Sequence, residues 1–175
     1  TSGGTGRFAA STVEEPVIRV LLADGGTNYR IESSGGLAVQ SADGMEIVGS
    51  SGQGAGIFGV RAGSIQIEME PDGSLGAVEG EALVVPNAKS VLMYDGIAYA
   101  GKMRVVPSGG GKMMLINVLP IERYLEGVLP HEIGNPGPEG YDAVKVQAVA
   151  ARTYALGKMD AHKGDVFDVH ASVMD

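Results

Sequence analysis

Turn signals recur about every ten residues through the first two-thirds of the chain. Groups such as Asp43-Gly44, Pro71-Asp72-Gly73 and Asp95-Gly96 separate short apolar runs, because Pro presets φ and Gly accepts a positive φ. The 28 Gly residues of the chain fit many such sharp turns. Short runs between turns are typical of antiparallel strands, so residues 17–118 are predicted to form a β barrel or sandwich.

The predicted strands are residues 17–22, 29–32, 36–40, 45–48, 57–60, 64–69, 82–85, 91–94, 97–99, 101–106 and 113–118. Residues 108–111, which read Ser-Gly-Gly-Gly, are interpreted as the hairpin loop between the last two strands. The alternative is a phosphate-binding loop. That loop would need the Lys-Ser/Thr ending of a P-loop and a strand-then-helix pattern around it, and both are missing.

A helical pattern replaces the strand pattern after residue 118. Pro120 suits a first helical turn, where its missing N–H costs nothing. Apolar residues follow at the spacing i, i+3, i+4 and i+7 from Ile121, which predicts one buried helical face. We expect Gly127 and Pro130 to end this helix.

A second, longer helix is predicted between Pro138 and about residue 160. Pro138 and Glu139 suit its first turn, by backbone geometry and by the helix dipole. Apolar and small residues then recur at a spacing of three to four, which predicts close packing against another element. The chain is therefore assigned to the α+β class, with a flexible leader (1–16), a β-rich part (17–118), a helical part (119–160) and an incomplete C-terminal segment (161–175).

The formal charge of −8 disfavours phosphate-rich partners. An acidic chain repels nucleic acid and anionic membrane surfaces, whereas a neutral glycan meets no such barrier. The absence of Cys excludes disulfides, thiolate metal sites and a Cys nucleophile. No apolar run reaches the roughly 18 residues of a transmembrane span, so no such span is expected in this chain.

Two of the three histidines, His162 and His170, lie near Asp160, Asp165 and Asp168 in the sequence. This grouping allows a metal site, but it contains no fixed short motif such as HExxH. We therefore interpret these residues as solvated loop residues and expect no required metal. A Ser–His–Asp triad has no GxSxG elbow to support it.

Glu132 is the strongest candidate for chemistry, because it lies between the two predicted helices, where rigid elements can hold a carboxylate in a cleft. We expect it in a short loop after the first helix. Its neighbours Leu129, Pro130 and Ile133 are apolar, and desolvation by them would raise its pKa and keep it protonated as a general acid. The alternative is a surface Glu or a helix cap.

Residues 116–132 read INVLPIERYLEGVLPHE, and residues 143–156 read AVKVQAVAARTYAL. These two segments resemble the motifs of the SpoIID/LytB family of cell-wall proteins, in the family's order and at its close spacing. Residues 97–105 are similar to a further family strand, with Ala100 where Arg is usual. Residues 17–22 also fit the family's opening strand. His131 and Ile133, on either side of Glu132, depart from the family pattern.

The resemblance implies a lytic transglycosylase that cuts peptidoglycan glycan strands between N-acetylmuramic acid and N-acetylglucosamine. It implies that Glu132 is the catalytic residue, general acid and then base, giving 1,6-anhydro products without a cofactor. It implies that Lys145, Gln147 and Arg152 bind substrate. From residue type alone, Lys145 could equally be a solvated helix residue. Arg152 could equally be a buried Arg that braces the fold by pairing with a carboxylate.

No water attacks in this mechanism, so a second carboxylate is unnecessary. A conventional glycosidase would need one about 5–10 Å away, and the candidates are Asp142, Asp168 and Asp175. The implied partners are peptidoglycan glycan strands and, for the LytB half of the family, a cell-wall amidase. The implied location is extracytoplasmic, in the bacterial cell envelope.

Two alternative functions stay open at this stage. One is a non-catalytic amidase enhancer or glycan-binding module, in which Glu132 is a structural remnant. The other is an inactive fragment, because the family pattern continues beyond Asp175 into sequence that completes the cleft. An uncovered apolar face would then promote association.

Overall fold

Alternating burial along the strands shows how the sequence forms sheets. The computed structural model describes residues 14–49, 52–87, 90–134 and 137–171. In Asn28–Ser33 and Ser64–Glu70 every second residue is buried, so each strand has one face toward the core and one toward solvent. Most of the predicted leader, and the last four residues, lie outside the described residues.

The described part of the chain holds thirteen strands. They are β1 Val17–Gly26, β2 Asn28–Ser33, β3 Leu37–Gln40, β4 Glu46–Gly49, β5 Gly54–Arg61, β6 Ser64–Glu70, β7 Leu75–Glu79, β8 Ala82–Pro86, β9 Leu92–Tyr94, β10 Ile97–Tyr99, β11 Lys102–Gly109, β12 Lys112–Pro120 and β13 Val169–His170. The first sheet has the order β13-β1-β12-β11-β8-β3-β4, and the second has the order β10-β9-β2-β5-β6-β7.

The two sheets share one core, so the β-rich part is a sandwich rather than a closed barrel. Fully buried side chains reach this core from both sheets, among them Val39, Val105 and Leu115 from the first and Ile31, Phe58 and Met69 from the second. Two helices follow the β-rich part. The predicted α+β class is confirmed, and so is the order of strands before helices.

Two strands, β7 and β13, were not predicted from the sequence. In β7 the exposed Leu75 and the small residues Gly76 and Ala77 weaken the apolar alternation that marks a strand. Its pairing with β6 along Ser64 to Glu68 nevertheless makes it a strand. β13 is two residues long and pairs in parallel with β1, so a distant part of the chain determines it.

The first helix, α1, spans Ile121–Ile133, which corrects the expectation that Gly127 and Pro130 end it. Pro130 lacks one backbone donor, but it lies in the last turn, where the loss affects a single bond. The helix ends at Gly134, whose φ of 72° suits glycine and whose N–H bonds to the Pro130 carbonyl. Glu132 therefore lies on the helix and not in a loop.

The second helix, α2, spans Tyr141–Ala161 and follows a single 3-10 turn at Pro138–Gly140. The predicted helix is confirmed, with its start moved three residues by this tighter turn. Ala155 is buried, whereas Val146 and Val149 are 70% and 59% exposed. The expected close packing by small residues therefore applies to one face of α2 near its C-terminal half.

A second core joins the helices to β1 and β12, on the same sheet face as the sandwich core. Ile18 and Val20 of β1 and Leu119 of β12 pack there against Ile121 of α1 and Ala155 of α2. In β12 three consecutive residues, 115–117, are buried, which shows that this strand is covered on both faces. The two helices are thus anchored near the β13 end of the first sheet.

An ion pair between Arg19 of β1 and Asp168 holds the segment between α2 and β13 against the sheet. Arg19 Nε donates to Asp168 Oδ2 at 3.1 Å and Nη2 to Oδ1 at 2.5 Å, and the Arg19 backbone N–H also donates to Oδ2. Nη1 donates to the Asp165 carbonyl and Nη2 to the His162 carbonyl. The bonds to Asp168 raise the pKa of Arg19, although its burial opposes the rise.

We expect Asp168→Ala to lower the free energy of unfolding by about 2–3 kcal/mol. The Asp168 side chain is 2% exposed, and its loss leaves the Arg19 guanidinium without its charge partner. The Arg19 side chain is still 24% exposed, so solvent reduces the cost below that of a fully buried pair. Chemical denaturation of both proteins measures the difference.

Asp165→Ala is the matched control, because its carboxylate is 64% exposed and pairs with His162 at the surface. It should leave the free energy of unfolding nearly unchanged. Equal effects of the two substitutions would contradict the role assigned to the Arg19–Asp168 pair.

Candidate functional site

An open cleft of about 1500 Å³ lies between the helices, the β1–β12 part of the first sheet, the β10 edge of the second sheet and the segment before β13. One face of α1 and one face of α2 line it, together with β1, β10 and β12. Glu132 and Gln147 are among the lining residues. The cleft is large enough for an extended ligand, since ligand pockets commonly occupy roughly 300–1,000 Å³.

Glu132 reaches the cleft because α1 continues through Pro130. Tyr124, Val128 and Glu132 are spaced i, i+4 and i+8, so they share one face of the helix, and all three line the cleft. The apolar surroundings expected for Glu132 are not found. Its side chain is exposed, and Ile133, the apolar neighbour on its C-terminal side, is itself half-buried.

A hydrogen bond across the two helices orients the Glu132 carboxylate. Gln147 of α2 donates from Nε2 to Glu132 Oε2 at 2.7 Å. This bond occupies one oxygen and fixes the plane of the carboxyl group. Two of the predicted site residues, Glu132 and Gln147, are therefore in direct contact in the cleft.

Tyr124 lies close enough to Glu132 for the charge of Glu132 to affect the pKa of its hydroxyl. Burial raises the pKa of the Tyr124 hydroxyl, and the negative charge of Glu132 adds to the rise. Tyr124 also packs against the second core, so its ring is held between the sheet and the cleft. The spacing of eight residues to Glu132 could have indicated this face, had α1 been predicted past Pro130.

Arg152 links the two helices through a two-bond ion pair with Glu122. Its Nε donates to Glu122 Oε1 at 2.8 Å and its Nη2 to Oε2 at 2.6 Å. The pair lowers the pKa of Glu122 and raises that of Arg152. This is the carboxylate pairing that residue type allowed for Arg152, but the Arg152 side chain is 38% exposed and is not buried.

Lys145 lies apart from the other predicted site residues. Its amine pairs with Asp142 at 3.1 Å and lies 5.0 Å from the centre of the Tyr141 ring. Lys145 and Arg152 do not belong to the described lining of the cleft, which does contain Glu132 and Gln147. Substrate binding by Lys145 and Arg152 stays a prediction.

All three histidines of the chain line the cleft, at positions 131, 162 and 170. His162 Nδ1 lies 2.9 Å from Asp165 Oδ2, and the His170 ring meets Phe167 edge-on at 5.0 Å. Among the described residues, no three His, Asp or Glu side chains come together in an arrangement that could hold a metal ion. The arrangement of these histidines in this structure offers no chelating set.

The candidates for a second carboxylate are engaged elsewhere or lie outside the described residues. Asp168 has both oxygens bonded to Arg19, and Asp142 pairs with Lys145. Asp175 lies outside the described residues. Glu126 lines the cleft from α1, but its carboxylate receives a bond from Arg123 at 2.7 Å.

Tyr99 and Asn117 of the β-rich part also line the cleft, and sequence analysis did not single them out. Asn117 is buried and donates from Nδ2 to the carbonyls of Ala100 and Lys102, at 2.9 and 3.0 Å. A buried Asn in an apolar strand is a signal of a structural hydrogen bond. The sequence shows that Asn117 belongs to the motif of residues 116–132. It does not show which carbonyls the Asn117 side chain bonds to.

We expect Glu122→Gln to lower the thermal midpoint at neutral pH and to lose this effect in acid. Arg152 holds the folded-state pKa of Glu122 below its usual 4.5, so folding favours the ionised carboxylate. The stabilisation is present in full above about pH 4.5 and disappears as the pH falls through the lowered folded-state pKa. Thermal unfolding of both proteins across this range measures the difference.

Arg152→Gln supplies the control for this prediction. In that background Glu122→Gln should change the midpoint equally at every pH, because the carboxylate no longer has its partner. A wild-type difference that persists unchanged in acid would contradict the assignment.

Within the described residues, no helix combines the length and the apolar character that crossing a bilayer requires. The SpoIID family, described as Stage II sporulation protein, matches residues 109–175. An uncharacterized protein of Brachyspira hyodysenteriae is 47% identical over 62 residues, which are 35% of this chain. The match spans 16% of that relative's own length. No solved structure matches the chain.

The matched residues contain β12, both helices and the Glu132–Gln147 contact. The similarity to the Brachyspira protein concerns a segment only, since most of that relative lies outside the match. The family predicted from residues 116–132 and 143–156 is confirmed for this part of the chain. Residues 109–175 of this chain belong to the SpoIID family.

Proposed function

We propose that this chain acts on the bacterial cell wall as a lytic transglycosylase of peptidoglycan glycan strands. The bond to be cut joins N-acetylmuramic acid to N-acetylglucosamine, and Glu132 is the general acid and then the base. The match of residues 109–175 to the SpoIID family of Stage II sporulation proteins supports a role in sporulation and, through it, in the cell envelope. On this proposal the chain works outside the cytoplasm, where glycan strands are found.

The observation that carries the proposal is the Glu132 carboxylate in an open cleft, oriented by Gln147 at 2.7 Å. An exposed carboxyl group on a rigid helix can meet a glycosidic oxygen without rearrangement of the backbone. The cleft is open to solvent, so a polymer can reach its lining residues from outside. Its lining mixes apolar rings with polar groups, as sugars require.

In the first step the protonated Glu132 gives its proton to the glycosidic oxygen. The bond between C1 of the muramic acid residue and that oxygen breaks, and N-acetylglucosamine leaves with a free 4-hydroxyl. Positive charge develops at C1 in the transition state. The ionised Glu132 that results from proton transfer stabilises this charge.

In the second step the C6 hydroxyl of the same muramic acid residue attacks C1. Glu132 takes the hydroxyl proton as the C1–O6 bond forms, which closes the 1,6-anhydro ring and returns the carboxyl group to its protonated form. No water is consumed. One carboxyl group therefore suffices, in keeping with the engagement of Asp168 and Asp142 by basic partners.

Gln147 is proposed to be a positioning residue for both steps. Its amide occupies Glu132 Oε2, so Oε1 is left to exchange the proton. A neutral donor suits this task, because it tolerates both the ionised and the protonated carboxyl group. Lys145 and Arg152, which lie outside the described cleft lining, would bind more distant parts of the strand on this proposal.

The second candidate function is a non-catalytic amidase enhancer or glycan-binding module. It is favoured by the exposed apolar residues of α2, including Val146 and Val149, which lie outside the described cleft lining. Exposed apolar patches often mark protein contacts, and a cell-wall amidase would be the partner. Turnover of purified strands without any amidase separates the two functions.

We expect Glu132→Gln to reduce the formation of 1,6-anhydro product from denuded glycan strands by about 100-fold or more. The amide retains the shape of the side chain but can neither donate nor accept the transferred proton in the same way, and general acid–base groups typically contribute 10²–10⁴-fold. Chromatography of the digest with mass detection of anhydro-muramic ends measures the product.

Glu126→Gln is the matched control, because it changes the same residue type on the same helix and also borders the cleft. Its carboxylate pairs with Arg123, and the substitution should leave turnover near the wild-type value. Undiminished anhydro product from Glu132→Gln would rule out the assignment. Absence of product from the wild-type chain, with retained glycan binding, would favour the second candidate function.

A further inference from the structure

The hairpin formed by β9 and β10 borders the cleft from outside the two helices. Residues 97–100 line the cleft, although β10 is the edge strand of the second sheet. They also lie outside the residues 109–175 that match the SpoIID family. The hairpin thus contributes a surface to the cleft that is separate from the Glu132–Gln147 contact.

The two larger side chains of this surface are Ile97 and Tyr99. They are two residues apart on one strand, so they share a face of β10, and both line the cleft. Ile97 is 57% exposed, although it is apolar. Tyr99 is partly buried and packs against the core of the sandwich, so its ring is supported on one side.

The Tyr99 hydroxyl has no hydrogen-bond partner among the residues that the structure describes. The contrast is Tyr29, whose hydroxyl donates to the Met113 carbonyl at 2.7 Å and accepts from the Gly26 N–H. Burial raises the pKa of Tyr99, and Tyr94 and Asp95 add to the rise, so the hydroxyl keeps its proton at neutral pH. It is available to a ligand as donor and acceptor.

Three contacts hold the hairpin in place beside the helices. Leu92 of β9, which pairs with Tyr99 inside the hairpin, is fully buried in the sandwich core. Asn117 donates to the Ala100 and Lys102 carbonyls on either side of Gly101. Gly101 itself has a φ of 83°, and a Cβ there would lie 2.4 Å from the Val118 carbonyl oxygen.

Asn117 therefore joins the hairpin to the strand that leads into α1. β12 ends at Pro120 and α1 begins at Ile121. The strand that carries Asn117 therefore continues directly into the helix that carries Glu132. A rigid support of this kind reduces the entropy lost when a ligand is bound. It makes the hairpin a suitable fixed wall for a flexible polymer.

We infer that Ile97 and Tyr99 form a sugar-contacting wall of the cleft, with the Tyr99 ring against a pyranose face and its hydroxyl bonded to a sugar hydroxyl. This inference rests on the proposed action on glycan strands and names residues that select and position them. Asn117 is a positioning residue for this wall. Rigid aromatic rings bind amphipathic ligands well because they offer a large apolar face beside a polar group.

The test measures the binding of fluorescently labelled, denuded glycan strands to the 175-residue chain that carries Glu132→Gln, which retains the strand during the measurement. Tyr99→Phe should weaken binding about threefold, because one hydrogen bond is lost. Tyr99→Ala should weaken it about tenfold, because the ring contact is lost as well. Ile97→Ser should weaken it about threefold through loss of apolar contact.

Leu75→Ser is the matched control for Ile97→Ser, since Leu75 is 77% exposed on β7 of the same sheet and does not line the cleft. It should leave glycan affinity unchanged. Thermal midpoints of all variants identify any loss of folding, which is expected to be smallest for Tyr99→Phe and Ile97→Ser. Unchanged affinity in both of these variants would overturn the inference.

Kinetics in the chain with Glu132 intact provide a second readout. Asn117→Ala and Tyr99→Phe should raise KM for glycan strands by about threefold and leave kcat nearly unchanged, because uniform binding is lost. A fall in kcat with unchanged KM would contradict a role in binding.

Failure of this inference is distinguishable from failure of the proposed function. Wild-type affinity in the Tyr99 and Ile97 variants, with strong glycan binding by the parent chain, rejects only the hairpin wall. Absence of glycan binding by the parent chain rejects the wall together with the proposed action on glycan.

Discussion

The buried face of β12 that carries Met113, Leu115, Asn117 and Leu119 is the constraint on which the cleft depends. Met113 and Leu115 of this face join the sandwich core, and Leu119, further along the same face, joins the core beneath the helices. The same strand leads directly into α1, pairs with β1 and carries Asn117, which donates to the Ala100 and Lys102 carbonyls just after the hairpin. Because tightly packed interiors transmit displacement, a shift of β12 would move the Glu132 helix and the hairpin together.

Arginines fix the parts of the cleft that the apolar cores do not reach. Arg19 and Arg104 bond to the segment between α2 and β13, through the Asp168 carboxylate and through backbone carbonyls. Arg152 joins α2 to α1 through Glu122. In each case a planar guanidinium with several donors satisfies acceptors that would otherwise need water. The carboxylate of Glu132 is different, because it meets the neutral amide of Gln147 and no cation among its described partners.

The sequence predicted most strands and both helices, because alternation and helical spacing reflect burial directly. It placed the end of α1 too early, since Pro130 is a strong breaker in general and the last turn tolerates it here. That error also placed Glu132 in an apolar loop, whereas it lies exposed on the helix face shared with Tyr124 and Val128. β13 could not be predicted, because two residues carry no pattern and their partner is β1.

By itself, the sequence determined the α+β class, the order of its elements, the SpoIID-like segment and the candidates Glu132 and Gln147. These follow from local spacing and from motifs that lie within about 40 residues of one another. Only the tertiary structure decided that Gln147 touches Glu132, that Arg152 braces the helices, that Lys145 lies apart and that Tyr99 faces the same cleft. The reason is physical: such contacts depend on the angle at which packed elements meet, and side-chain burial between distant segments sets that angle.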